Sequence, residues 1–410
     1  MGEKIYGLLG RKLGHSWSPV IHKALGCEDY RLIQLEPEEL PAFLEREDIG
    51  GLNITIPYKR DVMPLCSEID PGAQAIGSVN TIVRRNGRLY GYNTDIDGFL
   101  YMLRQAGISL RGKKVLILGS GGASRTVRAA AGQEGAREIV VVSRSGADSY
   151  EDLPERHADA EVLVNTTPVG MWPRLEERPV DLRLLPGLTD VADVIYNPGR
   201  TELLLQAEEL GLRRAGGLSM LVHQAKRAEE LFFDKSIPDG ETERIAAKLR
   251  RDMTNLVLVG MPGSGKTTVG RELSRLSGRP FVDLDEEIVK RAGRPIPEIF
   301  AREGEGAFRR LEHEVLTAVC AGSGQVIATG GGAVLSSENR SAMRRTGRVY
   351  RLLRRLEDLP TEGRPLSRAG DLAEMERARG PLYAAAADAD IWNGGGPEEA
   401  AGQIWRDLLG

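Results

Sequence analysis

A glycine-rich loop between residues 260 and 267 constrains this chain more than any other feature. Its sequence, Gly260-Met-Pro-Gly-Ser-Gly-Lys-Thr267, matches the pattern G-x-x-x-x-G-K-[ST] at every position. An apolar run over residues 254–259 precedes the loop and a helical pattern over 269–276 follows it, which is the context that the pattern requires. In such a loop, successive backbone N–H groups converge on phosphate oxygens at a helix N-terminus. The pattern therefore predicts a nucleotide-phosphate site.

The place of this loop in the chain predicts further domains. A phosphate loop normally follows the first strand of its domain, yet residues 1–253 precede this one. A chain of 410 residues has room for several domains of roughly 100–200 residues each. Within the loop we expect Lys266 to reach the β- and γ-phosphates and the Thr267 hydroxyl to ligate Mg²⁺. The nucleotide-binding residues predicted here are Gly263, Ser264, Gly265, Lys266, Thr267 and Thr268.

Composition excludes some functions and favours a compartment. The formal net charge is −4, and neither half of the chain has the basic excess that nucleic-acid binding needs. No apolar run approaches the roughly 20 residues that span a bilayer, and the N-terminal residues lack signal-peptide architecture. The three cysteines are odd in number and widely spaced, so they fit no disulfide or metal framework. We therefore expect a cytoplasmic protein that binds neither membranes nor nucleic acid.

Polar residues recur in four segments of the first 100 residues. These are His15-Ser16-Trp-Ser18-Pro19, Asn53-Ile-Thr55-Ile-Pro-Tyr-Lys59, Ser78-Val-Asn80-Thr81 and Asn93-Thr-Asp95. Ser18 suits the N-cap of a helix that begins at Pro19, so the first two hydroxyls either cap that helix or bind a ligand, and spacing alone favours the cap. Thr55 and Lys59 end a predicted strand, where open α/β sheets place their ligands.

In this order, the four segments resemble the substrate domain of shikimate dehydrogenase. The resemblance implies that Lys59 and Asp95 form the catalytic pair. Hydride reduction of a ketone develops negative charge on its oxygen, which an ammonium group can stabilise. The residues leave open whether Lys59, Asp95 or a water between them moves the proton. The residues implied to bind a cyclohexene acid through its hydroxyls and carboxylate are Ser16, Ser18, Thr55, Lys59, Asn80 and Asp95, with Tyr196 and Gln224 close to it.

A second glycine loop predicts a dinucleotide site. Residues 113–125 read as a strand, a glycine turn and a helix, and Gly119-Ser-Gly-Gly-Ala-Ser-Arg125 is similar to the form Gly-x-Gly-Gly-Ala-x-Arg of the same family. Arg144 follows the next predicted strand, where an arginine accommodates the 2′-phosphate of NADP and an acid would favour NAD. Asp148, where the family often has a second basic residue, weakens this preference for NADP. The predicted cofactor-binding residues are Gly119, Ser120, Gly121, Gly122, Ala123, Ser143, Arg144, Thr166 and Met220.

The segments after the phosphate loop closely resemble shikimate kinase. They are Asp283-Leu-Asp285, Phe308-Arg309-Arg-Leu-Glu312, Gly330-Gly331-Gly332, Gly363-Arg364-Pro-Leu366 and Arg379-Gly-Pro-Leu-Tyr383. The two aspartates, two positions apart at a predicted strand end, are expected to point the same way. The resemblance implies that Asp283 holds Mg²⁺, that Asp285 also orients or deprotonates the attacking hydroxyl, and that Arg364 sits in a lid over ATP. The residues implied to hold shikimate are Asp285, Arg309, Gly331, Gly332 and Arg379.

Together these patterns predict a bifunctional α/β enzyme of the shikimate pathway. The domains expected are a substrate-binding domain (1–100 and 225–250), an NADP-binding Rossmann domain (101–224) and a P-loop shikimate kinase domain (253–410). The chain would reduce 3-dehydroshikimate to shikimate with NADPH and phosphorylate shikimate at its 3-hydroxyl with Mg-ATP. Two alternatives stay open: a quinate/shikimate dehydrogenase that uses NAD, and a P-loop half that serves as a nucleotide-gated regulatory or scaffold module. The sequence does not give the oligomeric state.

Overall fold

The computed structural model describes residues 4–14, 16–359 and 369–410. Its contacts divide the chain into two compact units. Unit 1 comprises Met1–Val169, Arg178–Tyr196 and Gln206–Lys248, and unit 2 comprises Gly170–Glu177, Asn197–Leu205 and Leu249–Gly410. The α/β class predicted from the sequence is confirmed, whereas the division into three domains stays a prediction.

The first sheet of unit 1 gathers the polar segments at one edge. Its strand order is β2-β1-β3-β5-β6-β4, with β1 parallel to β2 and β3, and β5 antiparallel to β3 and β6. The carboxyl ends of β1, β3 and β6 therefore lie at the same edge as the start of β5. Its elements are β1 (Ile5–Gly10), α1 (Ser18–Ala24), β2 (Tyr30–Gln34), α2 (Leu40–Leu44), β3 (Ile49–Ile54), β4 (Glu68–Ile69), α3 (Pro71–Ile76), β5 (Thr81–Arg85) and β6 (Arg88–Tyr92).

The hairpin predicted from Asn86-Gly87 is confirmed. Asn86 and Gly87 have φ values of 50° and 77° and connect β5 to β6, as a two-residue turn between twisted strands requires. The strand β3 was expected to alternate between buried and exposed residues, but all its residues are buried. On one face Leu52 and Ile54 pack in an apolar cluster, and on the other the Phe232 ring lies against Gly51.

The second sheet of unit 1 is wholly parallel, in the order β11-β10-β9-β7-β8. Every residue of β7 and β9 is buried, as expected where helices cover both faces of a parallel sheet. The elements are α4 (Asp95–Gln105), β7 (Lys114–Leu118), α5 (Gly122–Gln133), β8 (Glu138–Val142), α6 (Leu153–Arg156), β9 (Val162–Asn165), β10 (Asp190–Asp193), α7 (Glu202–Glu209) and β11 (Arg213–Gly216).

Residues 230–251, predicted to form one helix, belong to two. Helix α8 (Leu218–Phe233) ends at Asp234, whose φ of 49° is left-handed, and α9 (Asp239–Met253) begins after Pro238. A left-handed residue terminates a helix, and the residue before a proline disfavours helical geometry. In the described ranges, no helix combines the length and apolar character needed to cross a bilayer. The cytoplasmic location stays a prediction.

Unit 2 contains a third parallel sheet, in the order β13-β14-β12-β15-β16. The phosphate loop follows the central strand β12, so it lies at the carboxyl edge of the sheet. The elements are β12 (Asn255–Val259), α10 (Lys266–Ser277), β13 (Phe281–Asp283), α11 (Leu284–Ala292), α12 (Ile296–Cys320), β14 (Val326–Ala328), α13 (Ser337–Thr346), β15 (Gly347–Leu353), α14 (Ala369–Ala386), β16 (Ala389–Trp392) and α15 (Pro397–Leu409).

Polar contacts explain why Asn197–Leu205 belongs to unit 2. The Arg200 guanidinium donates to the carbonyl oxygens of Arg344 (2.8 Å) and Gly347 (2.6 Å) and pairs with Asp388 at 2.9 Å. These bonds join the segment to α13, to the first residue of β15 and to the residue that precedes β16.

Candidate active sites

The predicted catalytic pair of unit 1 is in direct contact. Lys59 Nζ lies 2.6 Å from Asp95 Oδ2, and the two side chains are 26% and 17% exposed. Lys59 follows β3, and its carbonyl accepts a hydrogen bond from the Val79 amide at 2.8 Å. Asp95 is the first residue of α4, and its amide donates to Asn93 Oδ1 at 3.1 Å. The ammonium and the carboxylate are therefore held by backbone contacts and remain reachable by a ligand.

Asn80 lies between the segments that carry this pair. Its Oδ1 accepts from the Thr94 amide (2.7 Å) and from Thr81 Oγ1 (3.0 Å), and its Nδ2 donates to Thr94 Oγ1 at 3.1 Å. An amide nitrogen has two hydrogens, and Thr94 uses one of them. Asn80 is only 2% exposed, so its side chain is fixed in one orientation before any ligand arrives. Thr55 lies nearby at the end of β3, where its amide donates to the Leu9 carbonyl at 2.9 Å.

The interpretation of Ser18 as a helix cap is wrong. Trp17 occupies the N-cap position and makes no side-chain cap bond, and Ser18 is the first residue of α1. Pro19 fits because it still lies in the first turn, where its missing N–H costs nothing. Ser16 Oγ instead accepts from the Ser18 amide (3.2 Å) and donates to Ser18 Oγ (3.1 Å). The alternative, that the two hydroxyls bind a ligand, stays a prediction.

Helix α8 packs closely against the helix that begins with Asp95. A Cβ on Gly98 would lie 2.6 Å from the Met220 carbonyl oxygen and 3.1 Å from Gln224 Cβ. Only glycine permits this approach, which places Met220 and Gln224 within one turn of Asp95. Tyr196, beyond the end of β10, is half-buried, and burial raises its pKa. Among the predicted substrate residues of unit 1, the contacts thus bring together Lys59, Asp95, Asn80 and Gln224.

The second glycine loop has the form of a phosphate cradle. Gly119 has a φ of 101°, and a Cβ there would lie 2.9 Å from Thr167 Cγ2 and 3.0 Å from Thr166 Oγ1. Helix α5 begins at Gly122 behind Gly121, without a side-chain cap. The N–H groups of its first turn, which includes Ala123, therefore have no side-chain acceptor there, as an anion site requires. Ser120, between Gly119 and Gly121, is exposed.

Arg144 is exposed just beyond β8, next to the buried Ser143. Asp148, which weakened the preference for NADP, forms an ion pair with Arg156 at 2.7 Å and a hydrogen bond with His157 Nε2 at 3.0 Å. The Arg156 guanidinium offsets its negative charge. Sequence reasoning missed Arg156, because its approach to Asp148 depends on the fold of the loop.

The phosphate loop of unit 2 is preformed. Gly263 and Gly265 have φ values of 86° and 94°. Lys266 Nζ donates to the carbonyl oxygens of Gly260 (2.8 Å) and Met261 (2.9 Å). Ser264 Oγ is buried and without a hydrogen-bond partner, and α10 has no side-chain cap. This loop therefore fits a nucleotide phosphate by its conformation and by its unsatisfied donors.

The predicted metal ligands meet beside the loop. Thr267 Oγ1 donates to Asp283 Oδ2 at 2.8 Å, and Asp283 Oδ1 accepts from the Asp285 amide at 3.0 Å. The expectation that both aspartates project from a strand end is wrong. Asp283 ends β13 as the N-cap of α11, whereas Asp285 belongs to the first turn of that helix. Thr267 and Thr268 are exposed in the first turn of α10. A hydroxyl and a carboxylate oxygen suit Mg²⁺, which prefers oxygen ligands and keeps several waters.

The predicted acceptor-binding residues surround the glycine run after β14. A Cβ on Gly330 would lie 2.9 Å from Asp285 Oδ1, and one on Gly332 would collide with the Arg309 guanidinium. The Gly331 carbonyl accepts from Arg379 Nη1 at 3.2 Å. The run therefore lets an acid and two arginines approach the same backbone. Arg364, the predicted lid arginine, lies outside the described residues.

Three neighbours of these residues were not predicted. Glu312 is 2% exposed and accepts from Arg309 Nη1 at 2.7 Å; burial raises its pKa and Arg309 opposes that shift. Tyr383 donates to the Gly331 carbonyl at 2.5 Å, and burial raises its pKa to about 12. Asn393 Nδ2 donates to the Ser264 carbonyl at 2.7 Å. The helical spacings Arg309–Glu312 and Arg379–Tyr383 were available signals, whereas nothing in the sequence placed Asn393 at the loop.

The N-terminal part of the chain is similar to known dehydrogenases. The family model of the shikimate dehydrogenase substrate binding domain matches residues 8–82. A shikimate dehydrogenase (NADP(+)) from Clostridium beijerinckii is 38% identical over 260 residues, which cover 58% of this chain and 96% of the relative. The chain belongs to the shikimate dehydrogenase family.

Solved structures agree with this assignment. A chorismate mutase/shikimate 5-dehydrogenase fusion protein from Clostridium acetobutylicum is 37% identical, with a TM-score of 0.58 over 61% of this chain and 97% of its own. A shikimate 5-dehydrogenase from Thermus thermophilus, in complex with NADP(H) and shikimate, is 32% identical, with a TM-score of 0.54 over 60% of this chain and 99% of its own.

The C-terminal part matches the shikimate kinase family model over residues 262–409. This match begins within the phosphate loop and includes all the predicted kinase residues, Lys266 through Arg379. The fusion of a shikimate dehydrogenase with a shikimate kinase domain, predicted from the sequence, is thereby confirmed. The chain is an enzyme.

Proposed function

We propose that this chain catalyses two consecutive reactions: reduction of 3-dehydroshikimate to shikimate by NADPH, and phosphorylation of the shikimate 3-hydroxyl by Mg-ATP. The observation that carries the proposal is that one chain holds both the Lys59–Asp95 pair and a preformed phosphate loop facing Asp285 and Arg309. The cofactors NADP(H), ATP and Mg²⁺ fit the glycine cradle, the phosphate loop and the Thr267–Asp283 pair in turn.

In the first reaction, the Lys59–Asp95 pair acts on the ketone oxygen. Bound NADPH supplies a hydride to the carbonyl carbon. The Lys59 ammonium stabilises the charge that develops on the oxygen, and the pair delivers the proton that completes the hydroxyl. Asp95, 2.6 Å from Lys59 Nζ, holds the ammonium in place. Asn80, Ser16 and the other predicted polar residues bind the hydroxyls and carboxylate of the substrate, so the carbonyl faces the pair.

Arg144 selects the phosphorylated dinucleotide. Its guanidinium is exposed beyond β8, where the ribose of a bound dinucleotide lies in a Rossmann unit. Replacement of Arg144 by alanine should raise KM for NADPH on the order of tenfold to 100-fold, the effect of losing a charge-assisted contact, and should leave KM for NADH unchanged. Equal effects on both cofactors would contradict this role.

In the second reaction, the arginines bind the acceptor and the loop binds the donor. Arg309 and Arg379 hold the shikimate carboxylate, which suits the planar guanidinium group. Lys266 offsets the charge of the phosphates, and Thr267 and Asp283 would hold Mg²⁺, which would supply further positive charge there. The oxygen of the shikimate 3-hydroxyl bonds to the γ-phosphorus, and the bond between that phosphorus and the oxygen of the leaving ADP breaks. Asp285 accepts the proton that the hydroxyl loses.

Two separate assays test the proposal. NADPH oxidation is followed with 3-dehydroshikimate, and ADP release is followed with shikimate and Mg²⁺; both rates should be substrate-dependent. A dehydrogenase active only with NADH and quinate would replace the first assignment by the alternative enzyme. ATP binding without ADP release would make the second part a nucleotide-gated module and overturn the kinase assignment.

A further inference from the structure

A buried histidine–glutamate pair joins α1 to α8 outside the groups assigned to either reaction. His22 Nδ1 lies 2.6 Å from Glu229 Oε1, and the two side chains are 1% and 0% exposed. Glu229 Oε2 has no hydrogen bond, and its nearest cation is Lys235 Nζ at 3.7 Å. Replacement of a buried polar pair of this kind by well-packed apolar residues often leaves the protein no less stable. Stability alone therefore does not account for the pair.

The two helices joined by the pair each carry or adjoin residues that are proposed to bind the substrate. Helix α1 begins at Ser18, next to Ser16, and His22 lies one helical turn further on the same face. Helix α8 carries Gln224, and Glu229 follows on the same helix. The pair therefore controls how far the serine hydroxyls lie from the Gln224 amide.

The same histidine is linked to the floor of the site. The imidazole ring of His22 stacks on Tyr30, with ring centroids 3.7 Å apart and planes 4° from parallel. Tyr30 Oη donates to Asn53 Oδ1 at 2.7 Å, and Asn53 Nδ2 donates to Thr81 Oγ1 at 3.3 Å. Thr81 Oγ1 in turn donates to Asn80 Oδ1 at 3.0 Å. One continuous set of buried contacts thus connects α8, through His22, to the amide of Asn80.

We propose that His22 and Glu229 are positioning residues of the dehydrogenase, which hold α1 against α8 so that Ser16, Ser18 and Gln224 close on one substrate molecule. The inference rests on the proposed function of this site. Burial lowers the pKa of His22, and the Glu229 carboxylate opposes that shift. A carboxylate can only accept, so Nδ1 carries a hydrogen and donates it to Glu229.

The test compares His22→Leu with Glu229→Gln and with a matched control. His223→Leu is the control, because His223 is a buried histidine on the same helix (4% exposed) that bonds to Thr242 Oγ1 at 3.1 Å instead of to α1. His22→Leu should raise KM for 3-dehydroshikimate on the order of tenfold or more, the effect of misplacing substrate-binding groups by a fraction of an ångström. Glu229→Gln keeps an acceptor for Nδ1, so its KM for 3-dehydroshikimate should stay close to that of the wild type. His223→Leu should lower the melting temperature and leave KM unchanged.

A purely structural pair gives a different result. His22→Leu would then lower the melting temperature as His223→Leu does, with KM unchanged, and that outcome would overturn the inference. If His22→Leu is not recovered folded, His22→Asn, which keeps a polar group but is too short for both contacts, should show the same rise in KM. Turnover by the wild-type chain is measured alongside, since its absence contradicts the proposed function and not the role of the pair.

Discussion

At the scale of single residues, the proposed chemistry depends most on the Lys59–Asp95 contact and the Thr267–Asp283 contact. Each joins two residues that are far apart in the sequence, at 2.6 Å and 2.8 Å. Each pair also remains partly open to solvent, so a substrate oxygen or a hydrated cation can reach it. Side chains that serve only to pack a protein interior are rarely charged.

Replacement of Lys59 by methionine tests the first pair. The variant keeps the length of the side chain but loses the ammonium, so kcat for ketone reduction should fall about 10²- to 10⁴-fold, as for loss of a general acid. Lys59→Arg, which keeps the charge and changes the geometry, should recover part of that loss. ADP release with shikimate should stay at the wild-type rate. An equal fall in both activities would instead indicate a damaged fold.

The buried His223 predicts how stability depends on pH. Burial lowers its pKa to about 4, whereas an unfolded histidine titrates near pH 6.5. Between these values the unfolded chain binds more protons, so stability is complete above about pH 6.5 and falls as the pH decreases toward 4. The loss should be on the order of 3 kcal/mol. Urea unfolding of wild type and His223→Leu measures it, and an identical pH dependence in both would refute the assignment.

At the scale of elements, each proposed site lies where parallel strands of a sheet end. The sequence predicted the phosphate loop after β12, the glycine turn after β7 and the hairpin at Asn86-Gly87, because each has a local pattern that allows few other backbone conformations. The resemblance to the two families named the residues near these edges, and the structure brings Lys59 to Asp95 and Thr267 to Asp283.

Features that depend on tertiary contacts were not predictable. How each segment packs decides that Trp17 is an N-cap, that Asp285 is helical and that a helix ends at Asp234. The local sequence pattern in each case also permitted a different structure. The contact of His22 with Glu229 and that of Asn393 with Ser264 join residues far apart in the sequence. Single-sequence reasoning has no signal for such pairs.

Asn393 provides a test at the scale of the loop. Its Nδ2 donates to the Ser264 carbonyl, and a Cβ on Gly265 would lie 2.5 Å from the same nitrogen. Asn393→Ala should therefore loosen the phosphate loop and raise KM for ATP about tenfold, the effect of one buried hydrogen bond. Asn255→Ala, at the other end of β12, removes a buried amide bonded to the Gly322 carbonyl and should lower stability only. A similar rise in KM for both variants would contradict a specific role for Asn393.

At the scale of the whole molecule, two enzymes with a common intermediate occupy one chain. Unit 1 contains the residues proposed for ketone reduction, and unit 2 contains those proposed for phosphoryl transfer. The product proposed for the first site is the acceptor proposed for the second. Each site has its own acid, its own cations and its own nucleotide loop, so neither depends chemically on the other.

Asp285→Asn should separate the two reactions. The variant cannot accept the proton of the 3-hydroxyl, so ADP release should fall about 10²-fold or more, while NADPH oxidation with 3-dehydroshikimate continues at the wild-type rate. Shikimate should then accumulate. Retention of wild-type phosphorylation would remove Asp285 from the mechanism.

The most direct measurement is one incubation of the purified chain with 3-dehydroshikimate, NADPH and Mg-ATP, with the products resolved by mass spectrometry. Shikimate 3-phosphate should form together with equal amounts of NADP⁺ and ADP, and the reaction should stop at shikimate when ATP is omitted. Two results would contradict a bifunctional enzyme. In one, shikimate persists unphosphorylated although ATP is present. In the other, 3-dehydroshikimate is not consumed, whether NADPH or NADH is supplied.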